Sequence, residues 1–377
     1  MAEPIKIGAL RETVPGERRI TMTPDVAKRY QALGAELWLE KGIGASMFLP
    51  DAAFPAGNFV ASGREVLQQA DIVLKVQAPN NDELAEMKEG SVLIGLLQPY
   101  ADAERVRMLQ AKRITAFALE LLPRVTRAQS MDILSSQGTI AGYQCALIAA
   151  RHCPKFFPML TYAAGTIRPA RVLVIGAGVA GLQAIATVWR LGAMVEAYDV
   201  RPETREQVES LGAKFVDTGV LAVGAGGYAR ELTEDEKRQQ AEKLGRAIAQ
   251  CDVLITTAAI PGKPAPKIVS AEMVAAMKPG AVIVDMAAET GGNVAGTVAG
   301  EKIRTANQVL IIGATHIASR MPIHASEMIG KNLFNFISPF IKEGQLSLDW
   351  EDEVLAGTCL THAGAIRHAG VKQALGL

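Results

Sequence analysis

From residue 5 onward the chain alternates short, β-branched apolar runs with segments whose apolar positions recur at helical spacing. Runs at 5–10, 35–40, 71–77, 91–97 and 114–120 read as strands, and 24–33, 63–70 and 101–111 read as helices. Strands alternating with helices predict a mostly parallel sheet covered by helices. Residues 138–160 are nearly uncharged up to Arg151 and read as a helix leading out of this first series, ended by Pro154 and Pro158. A second series comes next. Strands are expected at 171–176, 194–199, 214–217, 252–258, 281–287 and 308–314, with helices at 180–191, 203–211, 234–250 and 271–277. The fold class implied is α/β, with two Rossmann-like doubly wound parallel-sheet lobes and an inter-lobe cleft. The first lobe is assigned to 1–137 and the second, a Rossmann lobe, to 138–329. The tail reads as a helix at 331–341 and a terminal strand or hairpin. Pattern alone does not choose its lobe, and the working assignment completes the first lobe with 330–377.

Composition narrows this picture. The 377 residues are 49% hydrophobic but only 5% aromatic, so the apolar mass is Ala, Val, Ile and Leu, as in sheets buried on both faces. Lysine plus arginine and aspartate plus glutamate both number 39, so no field is built for nucleic acid. Cys145, Cys153, Cys251 and Cys359 form no CxxC pair, so neither a metal site nor a disulfide framework is expected. The start, "MAEPIKIGAL", lacks a secretory signal, and a cytoplasmic location is expected. Residues 172–189 are uncharged over a length of ~18 residues, near that of a membrane span, but three spaced glycines lie within them.

Those glycines carry the first chemistry. Gly176, Gly178 and Gly181 follow an apolar strand and open a helix, with Val179 and Ala180 in the turn. Asp199, flanked by Val200 and Arg201, closes the second strand. This is the complete context of a dinucleotide fingerprint. The first glycine permits the turn, the second lets backbone approach a pyrophosphate, and the third lets helix and strand pack closely. Free amides at the helix start favour the phosphates. A carboxylate at 199 would accept from ribose hydroxyls and repel a 2′-phosphate, so NAD(H) is the expected cofactor, tempered by Arg201.

Proton-transfer groups are sparse. Residues 1–137 contain no histidine. His316 after a late strand and Lys75 at the end of an early one are candidate bases, or else an ordinary loop histidine and a strand-end lysine. By contrast, "RAQSMDILSSQ" at 127–137 is dense in hydrogen-bonding groups. Read as a helix, it places Gln129, Asp132 and Ser136 on one face with Ser135 beside them. Such a face could orient a carboxamide ring, or could be the solvated side of a connecting helix. The long insertion at 219–245, with Gly224, Gly226, Gly227 and Tyr228, reads as a lid or a plain solvent loop.

Several long runs resemble a known family. "RETVPGERRITMTPDVAKR", "RVTRAQSMDILSSQ", "GAGVAGLQAIATVWRLGA", "YDVRPETREQVESLGAKF", "AGGYARELTEDEKRQQ", "TTAAIPGKPAPKIVS" and "GTCLTHAGAI" are similar to the NAD(H)-binding domain I of proton-translocating transhydrogenases, in a wider family that includes alanine dehydrogenase. The resemblance implies a soluble component that holds NAD(H) and passes hydride directly to NADP(H) on a partner beta subunit. A separate membrane domain would move protons. It also implies a homodimer that touches the membrane only through its partners. Arg124, Gln129, Asp132 and Ser135 would surround the nicotinamide, Asp199 would meet the ribose, and Tyr228 would lie on a mobile loop. Gln98 and Glu289 stand where the alanine dehydrogenase pattern has its catalytic histidine and aspartate, while Lys75 and Arg19 match its substrate-binding pair. An amino-acid dehydrogenase is therefore the second reading, and a non-catalytic NAD(H) sensor the third. Ending at Leu377 without membrane helices, the chain reads as a separate subunit or a truncated one.

Overall fold

The computed structural model describes residues 3–222, 230, 232–260 and 262–377. The chain forms two compact units, Met1–Gln137 with Ser319–Leu377, and Gly138–Ala318.

The first unit opens with β1 (Lys6–Ala9), α1 (Pro24–Ala32), β2 (Glu36–Glu40), β3 (Asn58–Val60), α2 (Gly63–Gln69) and β4 (Ile72–Leu74). It continues through α3 (Asn81–Glu86), β5 (Val92–Gly95), α4 (Ala103–Ala111) and β6 (Thr115–Ala118). These six strands are parallel in the order β3-β2-β1-β4-β5-β6, the doubly wound arrangement. β4, β5 and β6 are buried throughout, which is why they read as continuous apolar runs. Two elements went unread: β3 has too few residues to alternate, and α3, which Asn80 and Glu83 start with a reciprocal capping box, is too short to show a period.

The stretch read as a helix over 127–137 is not one helix. A 3-10 turn, Thr126–Met131, stops at Asp132, whose backbone is extended (φ −71°, ψ 92°), and α5 (Ile133–His152) starts afresh. Asp132 itself breaks the helix, because its side chain takes the Ser135 amide at 2.9 Å, as a capping residue does. Gln129, Asp132 and Ser136 therefore share no helical face. α5 also begins earlier than the predicted 138 and ends before Pro154.

The second unit continues with the exposed hairpin β7 (Leu160–Tyr162) and β8 (Gly165–Ile167), then β9 (Arg171–Ile175), α6 (Val179–Arg190), β10 (Met194–Tyr198), α7 (Thr204–Ser210) and β11 (Lys214–Phe215). α8 (Glu234–Gln250), β12 (Val253–Thr256), α9 (Ala271–Ala275), β13 (Val282–Asp285), β14 (Lys302–Arg304) and β15 (Leu310–Gly313) complete it. The sheet runs β11-β10-β9-β12-β13-β15-β14, parallel except for the edge strand β14. The hairpin and β14 are short and solvent-facing, and pattern did not mark them. The uncharged stretch 172–189 falls on β9 and α6, and among the described residues no helix is long and apolar enough to cross a membrane.

The tail joins the first unit. α10 (Pro322–Ile337) starts nine residues before the predicted helix, with proline in its first turn, and its inner face is buried. A small hairpin, β16 (Ile341–Lys342) and β17 (Gln345–Leu346), comes next, then α11 (Glu353–Thr358), β18 (Cys359–His362), β19 (Ala365–Ile366) and α12 (Ala369–Leu375). β18 lies antiparallel on β6, extending that sheet.

Inside the first unit, Lys75 is not a candidate base. Its side chain is 1% exposed and its Nζ lies 3.0 Å from Glu12 and 2.8 Å from Glu83. Burial pulls its pKa down, but the two carboxylates outweigh it and raise the value, so the ammonium holds its proton at neutral pH. Burial in turn pushes Glu12 up despite Lys75. Arg19 is likewise buried, bonded to Glu17 at 2.7 and 2.5 Å and to Gln137 at 3.1 Å. Glu17 also accepts from Gln77 and Ser319. Burial would raise the Glu17 pKa, yet these partners, Arg19 foremost, bring it to about 2.

Two outcomes are expected from this packing. A methyl group on Gly142 of α5 would lie 2.0 Å from the Ala180 carbonyl oxygen of α6. Gly142→Ala should therefore destabilise the second unit by roughly 1–3 kcal/mol, despite the ~1 kcal/mol that alanine adds to an isolated helix. Urea unfolding read by circular dichroism checks this. Glu17 has a folded pKa of about 2 against an ordinary 4.5, so its stabilisation is present above about 4.5 and fades as pH falls toward 2. It is worth on the order of 3 kcal/mol. Glu17→Gln should flatten the pH dependence of the first unit's urea midpoint across that window.

Candidate functional site

In the second unit the glycine turn joins β9 to α6. Gly176 has φ +93°, and a methyl group there would meet Thr257 Oγ1 at 2.8 Å. A methyl on Gly181 would lie 1.8 Å from the Gly176 carbonyl oxygen. Gly178 differs. The nearest neighbour its methyl would meet is the Arg201 guanidinium at 3.9 Å, so its flank is open. The three positions thus divide into two filled by the protein itself and one left to an approaching group, as a pyrophosphate cradle requires. Gly178 is also the N-cap of α6 and supplies no side-chain cap, so the first-turn amides of Val179, Ala180 and Gly181 present themselves to an anion. Val179 is exposed and Ala180 buried.

Asp199 stands at the end of β10 beside this turn. Its Oδ2 accepts from the Ala177 amide at 2.7 Å, and Arg201 donates to it from its own amide (2.9 Å), Nε (2.9 Å) and Nη2 (2.7 Å). The carboxylate therefore shapes the turn as well as facing outward. Val200 pins Ala222 through its carbonyl. Tyr228, with the three glycines of the expected lid, lies outside the described residues.

Sequence reasoning missed two supports of the turn. Thr257, just past β12, donates from Oγ1 to the Gly176 carbonyl at 3.0 Å. Asn293, fully buried, holds both the amide and the carbonyl of Ala258. The threonine pair ending "DVLITT" was the only local signal, and Asn293 carried none.

The first unit sorts the polar stretch 127–137 into two groups. Arg127 forms a two-pronged pair with Asp352 at 2.6 Å. Ser136 donates to Asn332 at 2.7 Å, Gln137 to the Ala325 carbonyl at 3.2 Å, and Asn332 and Asn335 donate to the Ser130 carbonyl. These residues fasten the segment to α10 and α11. Asp132 and Ser135 remain half-exposed and joined by a 2.6 Å hydroxyl–carboxylate bond, with Gln129 and Arg124 exposed. The carboxamide of Gln129 makes no hydrogen bond among the described residues, so it is available to a ligand.

Gln98 sits in left-handed backbone (φ +49°), its amide donating to Glu120 at 2.6 Å. Burial pushes Glu120 up, opposed by the Leu97 and Gln98 amides. In the second unit His316 is also left-handed (φ +47°). Its amide donates to Glu289 at 3.2 Å, while its ring Nδ1 stays 3.9 Å away. Among the described residues no cluster of histidine, cysteine or carboxylates could hold a metal ion.

Two family models cover the chain. The N-terminal domain of Alanine dehydrogenase/PNT matches residues 8–141, and its C-terminal domain matches 145–369. The first of the two chains that make up the NAD(P) transhydrogenase alpha subunit of Rhodospirillum rubrum is 46% identical over 97% of this chain and 98% of its own. The NAD(P) transhydrogenase subunit alpha of Haemophilus influenzae is 42% identical over 95% of this chain and 71% of its own. An alanine dehydrogenase of Mycolicibacterium smegmatis is 25% identical over 98% of this chain and 97% of its own. Among solved structures, the transhydrogenase from Sinorhizobium meliloti superposes with a TM-score of 0.86 at 41% identity, covering 96% of this chain and 99% of that one. An L-alanine dehydrogenase superposes at 0.81 with 21% identity, covering 99% of each chain, a likeness of fold. With both of its domain models matched in order and relatives aligned from end to end, the chain belongs to the alanine dehydrogenase/PNT family.

Proposed function

We propose that this chain is the NAD(H)-binding component of a proton-translocating transhydrogenase. The observation that carries the reading is a complete dinucleotide turn within a chain that matches the first chain of a transhydrogenase alpha subunit at 46% identity across nearly the whole of both sequences. Gly178 and the amides of Val179, Ala180 and Gly181 hold the pyrophosphate, and Asp199 receives the adenosine ribose hydroxyls once Arg201 gives way. Arg124, Gln129, Asp132 and Ser135 orient the nicotinamide, the Gln129 carboxamide acting as a neutral donor and acceptor. Bound NADH supplies a hydride, delivered to NADP+ held by a partner beta subunit, while a membrane domain of the partners couples the transfer to proton movement.

Hydride passing between two nicotinamides releases no substrate proton, so the chain's task is to align the rings and exclude water. Its residues fit that task. Gln98 stands at the alanine dehydrogenase histidine position and does not titrate, and Lys75 is held as an ammonium by two carboxylates. The chain acts as a homodimer in the cytoplasm and meets the membrane through its partners.

Reconstitution decides between this reading and an amino-acid dehydrogenase. The chain mixed with an NADP(H)-binding beta subunit should move hydride from NADH to thio-NADP+, read by the absorbance of the reduced thio analogue, and the chain alone should not. Oxidation of alanine with NAD+ by the chain alone would overturn the proposal. Within the leading reading, Gln129→Ala should slow hydride transfer by about tenfold or more while NADH affinity changes by less than about threefold, because orientation counts most near the transition state. Single-turnover rates alongside NADH titration check this, and equal losses would remove Gln129 from the role.

A further inference from the structure

A pocket of about 710 Å³ opens in the second unit, lined among others by Lys155, Phe156, Arg168, Arg171, Asp252 and Lys278. Arg171 opens β9, Asp252 immediately precedes β12, and Lys278 follows α9. These are the N-terminal ends of the parallel strands, whereas the glycine turn follows the C-terminal end of β9. Five residues of strand separate the two, ~16 Å at ~3.3 Å per residue. The pocket therefore lies at the opposite edge of the sheet from the place where doubly wound folds seat their nucleotide, and it shares no residue with the site described above.

Its charges do not balance. Lys155 lies 2.6 Å and Lys278 3.6 Å from the same Asp252 oxygen, so two ammonium groups share one carboxylate. Asp252 also accepts from the Arg171 amide at 3.0 Å. The Arg171 guanidinium is spent on Glu196 at 3.2 Å and on Gln250. Arg168, exposed on the wall, makes no ion pair among the described residues. Four cations thus face two carboxylates, an excess of two positive charges over a concave surface where field lines converge. One wall is apolar. Phe156 is 55% exposed, a large aromatic face in contact with solvent, with Pro154, Ile167 and Pro169 nearby.

We propose that this pocket is a second ligand site, for a small phosphate monoester that carries two negative charges and an apolar or aromatic body. The phosphoryl group supplies the two charges missing from the basic wall, with Arg168 as its forked partner. The body covers Phe156. The site is independent of the reading given under Proposed function, because neither the glycine turn nor the 127–137 segment contributes to it.

Phenyl phosphate and inorganic phosphate are the probes, titrated into the full chain by calorimetry at pH 8, with and without NADH. Phenyl phosphate should bind saturably, several-fold more tightly than inorganic phosphate, with the same Kd whether or not NADH is present. Arg168→Glu should weaken it tenfold or more, and this exposed, unbridged position can change charge without touching the core. Phe156→Ser should erase the advantage of phenyl phosphate over phosphate. Cys153 lines the pocket while Cys145, Cys251 and Cys359 are buried, so ligand should protect Cys153 from maleimide labelling. Affinity unchanged in Arg168→Glu, labelling unchanged by ligand, or benzoate binding as tightly as phenyl phosphate would each overturn the proposal.

Discussion

Everything at the dinucleotide turn depends on one close approach. The third glycine of the fingerprint stands so near the carbonyl of the first that a β-carbon would lie 1.8 Å from that oxygen. Only a residue without a side chain lets α6 start directly above the end of β9. The same turn is gripped on two further sides, by Thr257 bonding the Gly176 carbonyl and by α5, whose Gly142 abuts the Ala180 carbonyl. With those sides closed by protein, the one open flank is at Gly178. The helix dipole and the first-turn amides of α6 thereby face a direction set by packing, which is what a rigid anion cradle needs.

The features legible in the sequence are those whose cause is local. Alternating strand and helix periods located both sheets, because buried parallel strands are continuous apolar runs and their covering helices are amphipathic. Both sheets fold in the same strand order, 3-2-1-4-5-6 within each unit when the parallel strands are numbered along the chain. Features fixed by distant partners were illegible. β18 pairs with β6 across more than two hundred positions, and nothing near residue 360 names that partner. β3, α3, β14 and the β7–β8 hairpin are too short to show a period, so only their neighbours determine them.

The segment 127–137 shows why a count of polar groups is a poor guide to a site. Its density suggested a single ligand-facing surface, but a helix would have been needed to align the side chains, and Asp132 ends the 3-10 turn by capping the start of α5. Arg127, Ser136 and Gln137 are consumed by partners from the tail and from Arg19. A buried or half-buried hydrogen bond to the protein costs a residue its freedom to meet a ligand, so the residues that remain as candidates are those the fold left exposed or half-exposed. Arg124, Gln129, Asp132 and Ser135 pass that filter by position, although the helical-face argument that first grouped Gln129, Asp132 and Ser135 with Ser136 does not hold.

The pairing of Asp199 with Arg201 bears on which dinucleotide the turn accepts. Taken as charges alone, a carboxylate and a guanidinium 2.7 Å apart cancel, and the bias against a 2′-phosphate would vanish. The two groups are not equally free. Asp199 is buried and its Oδ2 also holds the Ala177 amide, so moving the carboxylate would loosen the glycine turn itself. Arg201 reaches Asp199 through a long side chain, 21% exposed, that can rotate outward while its backbone amide keeps its own bond to Oδ1. The anchored charge is therefore negative and the movable one positive. A diol that replaces the guanidinium recovers donors for both carboxylate oxygens, whereas a phosphate in the same place meets a carboxylate that has no room to withdraw. Selectivity for the unphosphorylated ribose then arises from the mechanical coupling of Asp199 to the turn, and Arg201 serves as the group that keeps the carboxylate satisfied until the diol arrives.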